Sequence, residues 1–142
     1  DRATGTAAEV QVDDRPIEFP RVDERRVGRR HRFSWGVQLG MAGDQLAWPS
    51  SELVRYDADR KASETISFGA DRIAGEALFV PRTEDAAEDD CWYLTFVNDV
   101  PAGTSDLVVL DAAAPTEGPV ASVHLPARVP LGFHGNWVPT ST

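Results

Sequence analysis

Short runs of alternating apolar and polar residues, bounded by glycine, proline or acidic turn residues, dominate the chain from position 31 onward. The pattern predicts strands at His31 to Leu39, Glu52 to Tyr56, Glu64 to Phe68, Glu76 to Val80, Trp92 to Val97, Asp106 to Leu110 and Val120 to Leu125. Polar turns separate them: Tyr56 through Ser63, Asp99 through Ser105 with Pro101 and Gly103, and Asp111 through Gly118. Asp57 and Asp111 are placed to cap their turns through side-chain bonds to backbone. The stretch Gly40 to Ser50, carrying Met41 and Trp48, reads as a loop. No segment keeps a helical period over three turns; Ala112 to Ala114 is short, and Pro115 ends it. Strand after strand joined by turns implies an antiparallel all-β meander.

The strands also repeat. Leu53-Val54-Arg55-Tyr56-Asp57 resembles Leu107-Val108-Val109-Leu110-Asp111, and each is followed by a polar turn, a second strand-like run and an Arg-(Ile/Val) pair, Arg72-Ile73 or Arg128-Val129. Aligning Val80-Pro81 with Val138-Pro139 sets Glu76 opposite His134. Ile17-Glu18-Phe19-Pro20-Arg21 has the same layout, a polar group just before an apolar, proline-ended run. Repeats of roughly 40–55 residues built from short strands indicate propeller blades or arrays. In a propeller the innermost strand of each blade lines the axis, so equivalent positions converge. A histidine and two carboxylates at such positions suggest a metal site built by repetition.

Composition narrows the picture. The 142 residues suffice for one ordinary domain, and 42% hydrophobic content supports a packed core. A net charge of −9 argues against a nucleic-acid partner. Glu84 to Asp90 is an acidic loop. The arginines between Arg21 and Arg32 are interrupted by Asp23 and Glu24 and read as a solvated, ion-paired segment. The single cysteine, Cys91, forms no intrachain disulfide; it suits a reducing, cytoplasmic compartment and a packed strand thiol. No run approaches the ~20 apolar residues of a membrane span, and no signal segment opens the chain. The chain begins with Asp1, and its first strong motif comes only at Ile17, which reads as a piece from the C-terminal end of a longer protein.

Of the three histidines, His31 lies in an arginine run and His124 on a strand with polar neighbours, and both read as structural. His134 in Gly132-Phe133-His134-Gly135-Asn136-Trp137 would read as a strand-end histidine bonded to backbone, but the repeat favours a ligand role. Glu18 and Glu76 sit beside apolar residues, with Arg21 and Arg82 as the obvious nearby cations; an orienting role toward a ligating histidine is set against a plain surface or salt-bridged carboxylate. Gly135 would let the backbone approach closely. Phe133 and Trp137 are candidate apolar walls of a substrate cavity.

Ile17-Glu18-Phe19-Pro20-Arg21-Val22-Asp23, Val27-Gly28-Arg29, Leu53 to Asp57, Gly75 to Arg82, Glu88-Asp89-Asp90, Ser105 to Asp111 and Val129 to Trp137 occur in an order that resembles the carotenoid cleavage oxygenase family, with its stilbene-cleaving dioxygenases and retinoid isomerohydrolase. The likeness covers residues 17–139 and fits the family's C-terminal third, so residues 1–142 are expected to be a C-terminal fragment. Phe33-Ser34-Trp35, Leu131 and Asn98 depart from common family residues and bear on substrate choice.

The resemblance implies a seven-bladed β-propeller with Fe(2+) on its axis, bound by four histidines, three of them oriented by glutamates. It makes His134 the last ligand and Glu18 and Glu76 two of the orienting glutamates, with the other ligands upstream of this chain. A neutral imidazole suits Fe(2+), and a ligating histidine usually donates its other N–H to a carboxylate. The implied function is dioxygenase cleavage of a conjugated C=C bond in a hydrophobic polyene or stilbene, with O2 as co-substrate and two carbonyl products. Peripheral membrane contact is expected only through upstream regions, and the chain alone is expected to be inactive. The alternatives are a non-catalytic propeller scaffold, the isomerase branch of the family, and a cupin-type iron enzyme; the last is weakened by the lack of a paired His-x-His with a following Glu.

Overall fold

The computed structural model describes residues 1–42, 45–47 and 52–140. The described strands are β1 (Ile17–Arg21), β2 (Phe33–Gln38), β3 (Gly40–Ala42), β4 (Gln45–Ala47), β5 (Glu52–Asp57), β6 (Ala62–Ser67), β7 (Arg72–Ala74), β8 (Leu78–Pro81), β9 (Cys91–Asp99), β10 (Thr104–Asp111) and β11 (Pro119–Leu125). Helical structure among the described residues is confined to two single 3-10 turns, Glu24–Arg26 and Pro115–Glu117. The chain is all-β, and every strand pair is antiparallel.

Two sheets carry the fold. The first has the order β1-β2-β5-β6; the second has the order β11-β10-β9-β7, with β8 also on β9. The repeat read in the sequence maps onto them: β5 and β10 each lie third from the edge, and β6 and β11 each close the outer edge. The turns form as their residues dictate. Asp57 accepts the backbone N–H groups of Asp59 and Arg60, and Asp111 accepts that of Ala113.

Three expectations change. The stretch expected to be a loop contains a hairpin, β3 on β4; its three-residue arms are too short to show a period, and Trp48 lies outside the described residues. The strand expected from Glu76 begins at Leu78, because Gly75 to Ala77 breaks the edge: Gly75 donates its N–H to Phe96 O, and the Thr95 hydroxyl donates to Gly75 O. The segment 126–140, matched in sequence to β8, forms no strand in this chain. β9 already holds β7 and β8 on that edge.

Alternation along each strand gives each sheet one deeply buried face. Trp35, Val37, Leu53 and Ile66 of the first sheet pack against Tyr93, Val97, Val108 and Leu110 of the second. Trp35 and Tyr93 stack with centroids 4.0 Å apart. Each fully buried side chain of this size contributes about 1.5–3 kcal/mol. Cys91 is buried beside them as expected, and desolvation pushes its thiol up to about 12.

The acidic loop and the arginine-rich segment close the seam between the sheets. The Glu88 carboxylate accepts the N–H groups of Arg32 and Phe33, both at 2.7 Å. Buried Asp23 holds Arg25, whose guanidinium also donates to the carbonyls of Glu84 and Ala86. The cluster is ion-paired, as its interrupted charge pattern predicts.

Candidate functional site

The break between β7 and β8 puts Glu76 outside the strand ladder but inside the protein, with its side chain only 7% exposed. Four groups converge on its carboxylate. His134 Nδ1 lies 3.1 Å from Oε1, the Gly135 N–H donates to Oε2 at 2.8 Å, Arg21 Nε lies 2.9 Å from Oε1, and an Arg21 terminal nitrogen donates to Oε2 at 3.1 Å. The same Arg21 nitrogen donates to the Gly135 carbonyl. A carboxylate oxygen accepts, so in a neutral ring this contact places the hydrogen on Nδ1 and leaves the lone pair on Nε2.

The tail carrying His134 is fixed at two points. Val129 N–H donates to Ser105 Oγ, and Ser105 donates in turn to the buried amide oxygen of Asn98. Further along, Gly135 meets Leu78, where a Cβ would come within 3.3 Å of a leucine methyl; glycine eases that approach.

β1 reaches the site through a register break between Glu18 and Arg21. Within it Phe19 has φ +54°, a left-handed conformation that costs a bulky residue on the order of 1–3 kcal/mol. The bend sets the Phe19 ring edge-on to His134, centroids 5.7 Å apart at 86°, and edge-on to Phe133 at 6.2 Å.

A groove of about 210 Å3 opens next to the pair. Leu78, Leu94, Phe96 and Leu107 line it from the second sheet, and Val129, Phe133 and His134 from the tail. These sheet residues belong to the face turned away from the core, where Phe96 is 40% and Val123 51% exposed.

The structure thus joins His134, Glu76 and Phe133 and separates the other candidates. Glu18 is exposed on β1, and among the described residues none hydrogen-bonds to its carboxylate. Trp137 is exposed and lies outside the groove lining. Arg82 pairs with Asp90 and Asp111 and covers the Trp92 ring, which leaves Arg21 as the cation on Glu76. His124 bonds Asp106 at 2.6 Å, a contact that holds the Asp106 carboxyl below its usual range. The sequence marks Arg21 as a nearby cation but does not tell that it anchors Glu76, and it gives no sign of the Phe19 ring contact.

His134 supplies one nitrogen of the kind a metal ion takes. Among the described residues no three His, Cys, Asp or Glu side chains converge as a complete metal site. The donor chemistry therefore fits one position in a coordination shell.

Comparison with known proteins gives a consistent outcome. The model of the retinal pigment epithelial membrane protein family matches residues 1–139. A carotenoid cleavage oxygenase of Mycobacterium tuberculosis is 39% identical over 141 residues, covering 98% of this chain and 28% of the relative. Lignostilbene-alpha,beta-dioxygenase isozyme III of Sphingomonas paucimobilis is 34% identical over 131 residues, covering 87% of this chain and 27% of that enzyme. The crystal structure of a cobalt-substituted Synechocystis ACO superimposes with a TM-score of 0.86 at 30% identity, covering 97% of this chain and 28% of that one. The chain spans about 28% of the length of the curated relatives it matches.

Proposed function

Because the chain belongs to the family of the retinal pigment epithelial membrane protein and the carotenoid cleavage oxygenases, we propose that the protein containing it is an Fe(2+)-dependent dioxygenase. It cleaves one conjugated C=C bond of a carotenoid, apocarotenoid or stilbene. The reaction balances without a further reductant: the double bond breaks, and each carbon receives one atom of O2 as a carbonyl oxygen. The chain is the C-terminal part of a seven-bladed β-propeller, with its two sheets as blades; alone it is inactive.

The observation that carries this reading is the His134–Glu76 contact. His134 is one iron ligand through Nε2, and Glu76 holds its Nδ1–H so that the ring keeps one tautomer and one direction. When bound, ferrous iron supplies O2 binding and activation beside the alkene. Glu18 plays the part of Glu76 toward a histidine outside this chain. Phe133 and the half-buried leucines form one apolar wall for a hydrophobic substrate, and exposed Trp137, outside this groove, is a further apolar surface beside it. The groove is smaller than the roughly 300–1,000 Å3 of a typical ligand site, so other segments complete the cavity.

The test is His134→Ala in the full-length protein, read by metal analysis and oxygen uptake with a stilbene or apocarotenoid. Loss of both iron and uptake is expected. Full iron and turnover in that variant would overturn the reading.

A further inference from the structure

We infer that the bend of β1 is a clamp for the histidine, with Arg21 its main positioning residue and Phe19 its second. The inference rests on the reading of His134 as an iron ligand and deepens it. Glu76 cannot set the direction of an imidazole unless its own carboxylate is held. The β7–β8 break that frees Glu76 from the ladder also leaves it without strand neighbours to hold it. Arg21 supplies the missing restraint from the other sheet. One terminal nitrogen donates to Oε2 at 3.1 Å, while Nε sits 2.9 Å from Oε1 as an ion-pair contact without hydrogen-bond geometry, so the guanidinium lies against both carboxylate oxygens and restrains them. The same terminal nitrogen holds the Gly135 carbonyl, so one guanidinium fixes the acceptor and the residue after the histidine. The other terminal nitrogen is tied back to Glu24 at 3.0 Å, so the side chain is not free to swing.

Phe19 limits the remaining freedom, rotation of the ring about its bond to Glu76. Its edge-on contact with His134 exists because the backbone takes a left-handed turn at Phe19. That turn accompanies the register break that lets Arg21 pair opposite Trp35, so one local distortion delivers both groups to one place.

The experiment uses the full-length protein with Arg21→Gln, Arg21→Lys, Phe19→Leu and His134→Ala. Two quantities are read: the dissociation constant for Fe(2+), and the visible absorption bands of the cobalt(II)-loaded protein, which report ligand direction rather than fold stability. Arg21→Gln is expected to weaken iron binding about tenfold or more and to shift the cobalt bands. Arg21→Lys, which keeps the charge and loses the two terminal nitrogens that bond Glu24, Glu76 and Gly135, should fall between it and the parent. Phe19→Leu should shift the bands with a smaller loss of affinity. Parent-like affinity and bands in both Arg21 variants would overturn the clamp, as would weakened binding with unshifted bands, the mark of a structural role alone. Should Arg21→Gln fail to fold, Arg21→Lys decides by the same two readings. Retained iron in His134→Ala would instead remove the ligand reading beneath it.

Discussion

β1 and the broken β7–β8 strand hold the same place in their sheets, each at the edge of a four-strand meander and each interrupted next to a glutamate. Glu76 is buried and grips His134, Gly135 and Arg21; Glu18 is exposed and holds none of the described residues. The two glutamates come from matching sequence motifs, so the difference lies in what each is offered. The segment that reaches Glu76 is the chain's own tail, whereas none of the described residues reaches the Glu18 carboxylate. At Glu76 the interrupted edge strand is therefore only half of the cluster; the other half is the tail with His134 and Gly135.

The largest expected effect after loss of the ligand itself comes from the two glutamates. In the full-length protein Glu76→Gln and Glu18→Gln should each weaken iron retention by about 10–100-fold. Only Glu76→Gln should also loosen the tail, read as faster protease cleavage after Leu125. Equal cleavage in both variants would erase the contrast between the two edges. His31→Ala and His124→Ala should leave iron content near the parent value.

The next effect tests how tightly each edge is built. A Cβ at Gly36 on β2 would meet the Ile17 side chain at 2.3 Å. Gly36→Val should push β1 outward at a cost of ~1–3 kcal/mol in thermal or denaturant unfolding. A Cβ at Gly135 would meet only the flexible end of Leu78 at 3.3 Å. Gly135→Ala should cost less than about 1 kcal/mol; a larger loss would make the tail as close-packed as β1.

The smallest effect is electrostatic and belongs to the first sheet. Arg32 beside Asp57, and Arg15 with Tyr56 beside Asp13, hold both carboxyls well below the usual carboxylate range. A depressed value means the folded state keeps these groups ionised more readily than the unfolded chain does. Their stabilisation is full above the ordinary carboxylate value near 4 and declines as pH falls below it. Arg32→Gln should flatten the fall in melting temperature between pH 5 and pH 2, and an unchanged slope would count against the pairing.

Much of this was legible in the sequence. The alternating runs gave β2, β5, β6 and β9 to β11 because each is long enough to show its period. β7, β3 and β4 have three residues each and show none. His134 and Glu76 were found because the Val-Pro landmarks repeat. The clamp was not, because it depends on a left-handed Phe19, which no residue preference announces, and on Arg21 meeting a glutamate 55 residues away. Nor does sequence alone tell that Arg82, six residues from Glu76, is diverted to Asp90 and Asp111.

The Arg21–Gly135 contact joins positions 114 residues apart. Hairpins such as β5–β6 and β9–β10 close over a few residues, whereas this contact closes nearly the whole chain on itself and carries the larger loop entropy. β1 lies far ahead of the tail in the chain, and the Glu76 carboxylate has no imidazole to grip until the tail docks. Docking of the tail that carries His134 is then a late event in folding, and it closes the Glu76 cluster instead of nucleating it. Pulse-labelled hydrogen exchange during refolding reads this order directly: the β9 and β10 amides should gain protection before the Gly135 amide does.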